Sequence, residues 1–351
     1  MRINRKITKK INVGEVTIGG DSPILIQSMT NTDTRDVLAT VNQINKLIEA
    51  GCEIVRIAIP DMEAAKAVSE IKKQVNVPLV ADIHFDYRLA LECMDNGIDK
   101  LRLNPGNIGS AQRVEMVVKK AKEKNIPIRI GVNGGSLDKK ILDKYGKVTA
   151  EALVESALDH VAILEKLNFN DIIISLKASD VKLTLDAYRL MSRKVDYPLH
   201  VGVTEAGTIY KGTIKSSIGI GALLLDGIGD TIRVSLTGDP VEEVKVGREI
   251  LRSIGIRNFG INMISCPTCG RCQINLIELA GRIEKKLENI QKPISVAIMG
   301  CAVNGPGEAK EADIGIAGGN GSALLFKKGK IVGKIDENKV EEVLLEEISK
   351  M

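Results

Sequence analysis

The chain has 351 residues, 44% of them hydrophobic, and a formal net charge of +4. That length buries one large core and a second small one, the charge is too mild to argue for nucleic acid, and 3% aromatics without tryptophan leave no stacking platform for bases. The basic start "MRINRKITKKINV" precedes no apolar stretch of signal-peptide length and no run is long enough to span a bilayer, so the expected location is the cytoplasm, with neither nucleic acid nor membrane as a partner.

Short β-branched runs then follow in order: "PILIQSM", "EIVRIAI", "PLVADIHF", "KLRLNPG", "PIRIGVN", "DIIISLK", "PLHVGVT" and "TIRVSLT". Between them lie amphipathic helix patterns such as "VNQINKLIEAG" and "EMVVKKAKEKN", closed by Gly or Asn. Eight strand–helix units predict an α/β fold, a (β/α)8 TIM barrel. A doubly wound open sheet is the alternative, but it has no reason to stop at eight. The long interval between "GVNGG" and "DIIIS" is expected to hold an additional loop rather than a missing strand.

Residues i and i+2 of a strand share a face. The rule sets Asp82 with His84, Arg102 with Asn104, Arg129 with Asn133, Ser175 with Lys177 and Arg233 with Ser235, while Arg56 sits within the second strand. Buried polar groups are costly unless they meet a partner or a ligand, and in an eight-fold barrel they converge at the C-terminal mouth. Arg56, Arg102, Arg129, Lys177 and Arg233 therefore outline a pocket for a multiply charged anion, most simply phosphate or diphosphate. The competing reading pairs some of them with Asp82, Glu205 or Asp230 as structural ion pairs. Too few strand carboxylates exist to neutralise all of them.

The pattern "PVEEVKVGREILRSIG" predicts the last barrel helix, which divides the chain into a substrate-binding barrel, residues 1–256, and a small α+β domain, residues 257–351. In the latter, Leu276, Ala280, Ile283 and Leu287 mark one helical face. The strand-like "ISVAIMG" and "ADIGIAG", a hairpin "LLFKKGKIVGKI" and a closing helix follow. Barrel helices run back from the mouth, so the last one delivers the chain to the face away from the pocket. A domain that starts there most easily serves the pocket of another subunit, and a head-to-tail homodimer is expected.

"CPTCGRC" supplies Cys266, Cys269 and Cys272, and "MGCAVNGPGEA" supplies Cys301. Disulfide frameworks belong to short secreted chains. A zinc ribbon presents a second close cysteine pair, which is missing here, whereas CxxCxxC with a remote cysteine is similar to ferredoxin-type iron–sulfur ligation. Zinc and a redox dithiol stay open as alternatives. The Gly/Pro loop after Cys301 can bring Glu308 back toward the cysteines, leaving Cys272 and Glu308 as candidates for a fourth ligand. Four thiolates make a closed electron carrier, while a carboxylate is displaceable by a substrate oxygen. Cys52 and Cys93 are assigned to helix packing, and His160 to a helix surface.

Taken in order, "PILIQSMTNTDT", "VADIHFDYRLA", "LRLNPGNIG", "IRIGVNGGSL", "HVGVTEAGT", "GIGDTIRVSLTGDP", "SCPTCGR" and "MGCAVNGPGEAKEADIGIAGG" resemble the bacterial, two-domain form of the 4-hydroxy-3-methylbut-2-enyl diphosphate synthase family. The resemblance spans nearly the whole chain. It implies an iron–sulfur oxidoreductase of the methylerythritol phosphate route to isoprenoids, fed by flavodoxin or ferredoxin and assembled as a head-to-tail homodimer. It puts the ligands of a 4Fe-4S cluster on Cys266, Cys269, Cys301 and Glu308. The diphosphate pocket falls on Arg56, Arg102, Arg129 and Lys177, with Arg233 and Ser235 on the last strand. Asp82, Asn104, Asn133, His200 and Glu205 match polar positions around it, with Glu205 as the expected proton donor and Glu308 catalytic through its exchange with substrate oxygen. Cys272 departs from the family, which often has Thr there. Two rival readings are a zinc-stabilised sensor of a phosphorylated metabolite and a pterin-binding methyltransferase barrel. Zinc-loaded colourless protein would favour the first, and folate or cobamide binding the second.

Overall fold

Two short strands, β1 (Ile11–Val13) and β2 (Val16–Ile18), open the chain as an antiparallel hairpin whose turn holds Gly14 at φ +56°, a conformation that costs least without a Cβ. In this computed structural model, which describes residues 3–288, 290, 292–303, 307 and 309–351, the chain divides into two compact units, Met1–Ile256 and Arg257–Met351.

The first unit is the barrel. Its strands are β3 (Leu25–Met29), β4 (Ile54–Ala58), β5 (Leu79–Asp82), β6 (Lys100–Arg102), β7 (Ile128–Asn133), β8 (Ile172–Lys177), β9 (His200–Val201) and β10 (Thr231–Ile232). They run parallel in the order β8-β7-β6-β5-β4-β3-β10-β9, and a bridge between Ile174 and Leu199 joins β8 to β9 and closes the cylinder. The outer helices are α1 (Val37–Glu49), α2 (Met62–Lys72), α3 (Tyr87–Asp95), α4 (Ala111–Glu123), α5 (Lys139–Tyr145), α6 (Ala150–Lys166), α7 (Val181–Lys194), α8 (Ile209–Leu225) and α9 (Pro240–Ser253). Most begin with a side-chain oxygen accepting a first-turn N–H, from Asp36, Asp61, Asp86, Asp138, Thr149, Asp180 and Asp239. The long interval before β8, expected to be a loop, holds the short helix α5, capped by Gly146 at φ +69°.

The barrel interior changes character along its axis. At the base, Leu25, Ile54, Val80 and Ile173 pack against Ile11, Val13 and Ile18 of the hairpin, so β1 and β2 stopper the end where the strands begin. Two residues further along the same strands stand Gln27, Arg56, Asp82 and Ser175. The period of two thus converts an apolar floor into a polar interior in one step. Asp230 belongs to the floor end: it accepts from Arg5 at 2.6 Å, Thr8 at 2.9 Å and the Leu199 N–H at 2.8 Å. It is therefore no counter-ion for the mouth.

The second unit carries β11 (Asn262–Ser265), α10 (Leu276–Leu287), β12 (Ser295–Met299), β13 (Ile314–Gly319), β14 (Ser322–Lys327), β15 (Lys330–Asp336) and α11 (Val340–Ser349). The sheet order is β11-β12-β13-β14-β15, parallel for the first three and antiparallel thereafter. Leu276, Leu279, Ile283 and Leu287 of α10 and Val340, Leu344 and Ile348 of α11 bury against one sheet face. Leu279 is buried, and Ala280, expected on that face, is half-buried. Among the described residues no helix is long and apolar enough to cross a membrane.

Candidate active site

Arg56, Asp82, Arg129, Lys177 and His200 are buried at or just below the barrel mouth, and Arg102, Asn104, Asn133, Arg233 and Ser235 are half-buried around it. Asp82 is the hub. Arg102 Nη1 reaches its Oδ1 at 3.1 Å, Arg56 Nε its Oδ2 at 3.8 Å, and the more exposed His84 Nε2 the same oxygen at 3.7 Å. Burial alone would raise the Asp82 carboxyl, but His84, Arg56 and Arg102 more than offset it and hold the group far below the usual carboxylate range.

The other counter-charge comes from a helix. Glu243, in the first turn of α9, lies 3.5 Å from Arg233 Nη2, and accepts from Ser28 Oγ and from the Leu236 N–H at 3.0 Å each. Arg129 has neither carboxylate: its Nη1 donates to Ser175 Oγ at 2.8 Å, while Nε and Nη2 are buried without a partner. Burial, then its neighbours Arg56 and Arg102, push Arg129 well below its ordinary value. Lys177 is depressed by burial and by Arg233, Arg56 and Arg129, and burial foremost brings Arg56 down to about 10. A site that disfavours its own charges in this way is short of anions.

Asn104 stands past the end of β6 and replaces the missing ladder, donating to Gly131 O at 3.1 Å and accepting the Gly131 N–H at 2.8 Å. Arg102 Nη2 uses the same carbonyl at 2.9 Å. Gly131 must lack a side chain, since a Cβ there would stand 2.6 Å from Arg102 Nε. Gly131→Ala is therefore expected to displace Arg102, costing about 1.5–3 kcal/mol of anion binding, readable as about a tenfold or greater loss of pyrophosphate affinity with an unchanged circular dichroism spectrum. Unchanged affinity would show Arg102 to be dispensable.

Asn133 turns its Oδ1 to the Gly135 N–H at 3.1 Å and caps the turn after β7. Glu205 is exposed in the loop after β9 at φ +52°. Arg233 and Ser235, placed on the last strand by the sequence pattern, lie beyond the two residues of β10, although the Arg233 N–H still bonds Val201 O at 3.0 Å. His160 corrects another expectation: it is half-buried, and its Nδ1 accepts the Gly106 N–H at 3.2 Å, pinning the turn after Asn104. Cys52 and Cys93 are buried, and burial pushes both thiols up to about 12.

Sequence reasoning missed Lys100, Gln27 and Glu243. Lys100 lies two residues before Arg102, so the alternation rule already places it on the inner face; at a strand's first position it reads as a solvated charge. Glu243 stands beside Glu242 in "PVEEV", and only the fold shows which of them turns inward.

In the second unit, Cys266 follows β11 and its N–H bonds Ile298 O at 3.4 Å, while its Sγ accepts the Gly300 N–H at 3.2 Å. Cys301 comes one residue later at the end of the adjoining parallel strand and is buried. Cys269 is exposed, and its carbonyl accepts the Cys272 N–H at 2.9 Å. The fold thus brings the cysteines to one end of the sheet, a soft donor set that suits iron or zinc. Their contacts differ: the Cys266 sulfur accepts the Gly300 N–H, whereas Cys272 donates from Sγ to Ile274 O at 3.3 Å. Among the described residues no three His, Cys, Asp or Glu side chains converge as a metal-holding group. Glu308, expected as a ligand, lies outside the described residues.

Residues 8–248 match the GcpE TIM-barrel domain and residues 262–350 the GcpE protein C-terminal domain. A protein of Ruminiclostridium cellulolyticum named 4-hydroxy-3-methylbut-2-en-1-yl diphosphate synthase (flavodoxin) is 67% identical over 349 residues, 99% of each chain. One of the same name from Clostridium acetobutylicum is 65% identical over 344 residues, 98% of this chain and 99% of that one. Among solved structures, dihydropteroate synthase from Stenotrophomonas maltophilia aligns with a TM-score of 0.51 at 11% identity, covering 72% of this chain and 100% of that one. That likeness is one of barrel fold alone. Both family domains in order, with relatives so similar from end to end, mean that the chain belongs to the GcpE family of 4-hydroxy-3-methylbut-2-en-1-yl diphosphate synthases.

Proposed function

We propose that this chain opens 2-C-methyl-D-erythritol 2,4-cyclodiphosphate reductively to 4-hydroxy-3-methylbut-2-enyl diphosphate, consuming two electrons and two protons and releasing water. The observation that carries the pocket assignment is the shortage of anions at the mouth: among the described residues, Arg56, Arg102, Arg129, Lys177 and Arg233 face only Asp82 and Glu243, and two guanidinium nitrogens of Arg129 are unpartnered. These cations, with Ser235, hold the diphosphate and favour the negative charge that grows on it as the ring carbon–oxygen bond breaks. Asp82 orients the fork of Arg102 and offsets the charge of Arg56 at longer range, while Asn104, Asn133 and His200 shape the surrounding wall. Glu205, displayed by its left-handed backbone, gives a proton to the departing oxygen.

Cys266, Cys269 and Cys301, with Glu308, hold a 4Fe-4S cluster, which supplies single electrons when bound. Flavodoxin, printed in the names of both relatives, is the proposed donor, with ferredoxin its substitute. The last barrel helix ends at Ser253 and the second unit begins at Arg257, and helices of this fold run back from the mouth. This supports a head-to-tail homodimer in which one subunit's cysteine unit serves its partner's mouth.

The test is the electron paramagnetic resonance spectrum of reduced, iron-reconstituted protein with and without the cyclodiphosphate. A signal that changes on addition is expected. An iron signal indifferent to the cyclodiphosphate would leave an electron carrier, and no iron signal would return the cysteines to zinc.

A further inference from the structure

Beneath the residues proposed to hold diphosphate lies a second tier, Lys100 and His200, whose ionisable groups have no task so far. Lys100 and His200 have no exposed surface. Lys100 Nζ reaches across the barrel from β6 to Gln27 Oε1 on β3, a long contact of 3.4 Å. His200 Nδ1 meets Thr231 Oγ1 at 2.8 Å, and its Nε2 is buried with no partner. Tyr188, which donates to His200 O at 2.6 Å and accepts the Leu176 N–H at 3.0 Å, is occupied by backbone. Below this tier is the apolar floor packed against the hairpin.

The charges facing these two bases are predominantly positive. Lys100 faces Arg129 and Arg56, and the adjacent Asp99 is already engaged by Lys72 at 2.6 Å and the Leu79 N–H at 2.7 Å. His200 faces Arg129, Lys177, Lys100 and Arg56. Asp82 and Glu243 are taken by the mouth arginines, and Asp230 by Arg5 and Thr8.

We infer that an anion entering the mouth brings protons with it, taken up by Lys100 and His200, so that the tier beneath the pocket is more positively charged when filled than when empty. The inference rests on the diphosphate reading of the pocket and adds a charge-compensating role for two residues that need not touch the ligand. Burial first, then the surrounding cations, holds both bases well below their ordinary values while the pocket is empty. A multiply charged anion cancels that repulsion and raises both. Since the filled state binds more protons, affinity tightens as pH falls between the filled-state and empty-state values, and is lost as pH rises through the filled-state value.

Inorganic pyrophosphate is titrated into the iron-loaded protein at one pH in two buffers of unequal ionisation enthalpy, which counts the protons bound per ligand. Wild type is expected to take up about one proton more than Lys100→Met or His200→Gln, the ligand's own protons being common to all three. Equal counts in the three proteins, with binding intact, would overturn the inference alone. Should Lys100→Met fail to fold, the wild-type count against pH decides: beyond the ligand's own titration, it is expected to rise and fall, and a flat count overturns the inference. No binding of pyrophosphate by wild type would remove the pocket reading together with it.

Discussion

Arg129→Met is expected to weaken pyrophosphate binding about a hundredfold or more while raising the melting temperature of the unliganded protein. Two guanidinium nitrogens of Arg129 have no partner in the empty barrel, so an anion gains both. Hydrogen bonds to charged groups are worth about 1.5–3 kcal/mol each, and losing two removes about 3 kcal/mol or more. The empty protein meanwhile carries the cost of a buried charge among like charges. Replacing such a group with an apolar side chain of similar volume is neutral or stabilises by about 1–4 kcal/mol, each kcal/mol shifting the midpoint of a domain this size by about 2–4 °C. Iron content should not change, because Cys266, Cys269 and Cys301 belong to the other compact unit. A lower melting temperature with unchanged affinity would make Arg129 a structural residue bonded to Ser175 and nothing more.

Cys266→Ser should cost nearly all the bound iron, and Cys272→Ala almost none. Cys266 Sγ already accepts the Gly300 N–H at the end of β12, and Cys301 follows on the same strand end. Losing a ligand costs at least the roughly 10- to 100-fold in metal affinity that even a supporting group is worth. The Cys272 sulfur instead donates to Ile274 O and lies 2.6 Å from where a Gly300 Cβ would stand, filling space beside the site. Iron and sulfide per chain, measured after anaerobic reconstitution, separate the two. Iron lost from Cys272→Ala and kept in Glu308→Ala would move the fourth-ligand role to Cys272, while kept iron with lost turnover in Glu308→Ala is the expected pattern.

The barrel was legible because several strands repeat one step, an apolar residue at the floor and a polar one two places on: Leu25 and Gln27, Ile54 and Arg56, Val80 and Asp82, Ile173 and Ser175. Arg56, Asp82, Arg129, Ser175 and Lys177 stand where alternation puts them, buried inside the cylinder. Less legible was anything supplied from outside that repeat. The hairpin of Ile11 to Ile18 shows only three-residue strands, too short for periodicity to register. Glu243 reaches the mouth from a helix, and the bond from Gly106 to His160 joins residues far apart in the chain. The helix α5 is seven residues long and has one buried residue, Ile141, so its amphipathic signal was weak. In the second unit, β11 went unread because all four residues are exposed or half-buried, and its position beside β12 follows from tertiary pairing that the sequence does not announce.

The stoppered base has a kinetic corollary. A barrel sealed by Ile11, Val13 and Ile18 is a cul-de-sac rather than a tunnel, so everything that enters the pocket must leave by the same doorway. Product has to depart before the next substrate arrives, and a spent diphosphate lodged among the arginines blocks traffic in both directions. On the proposed reading, exit counts alongside bond breaking in setting turnover, because the cations proposed to secure the incoming ligand are the same ones that would delay its departure.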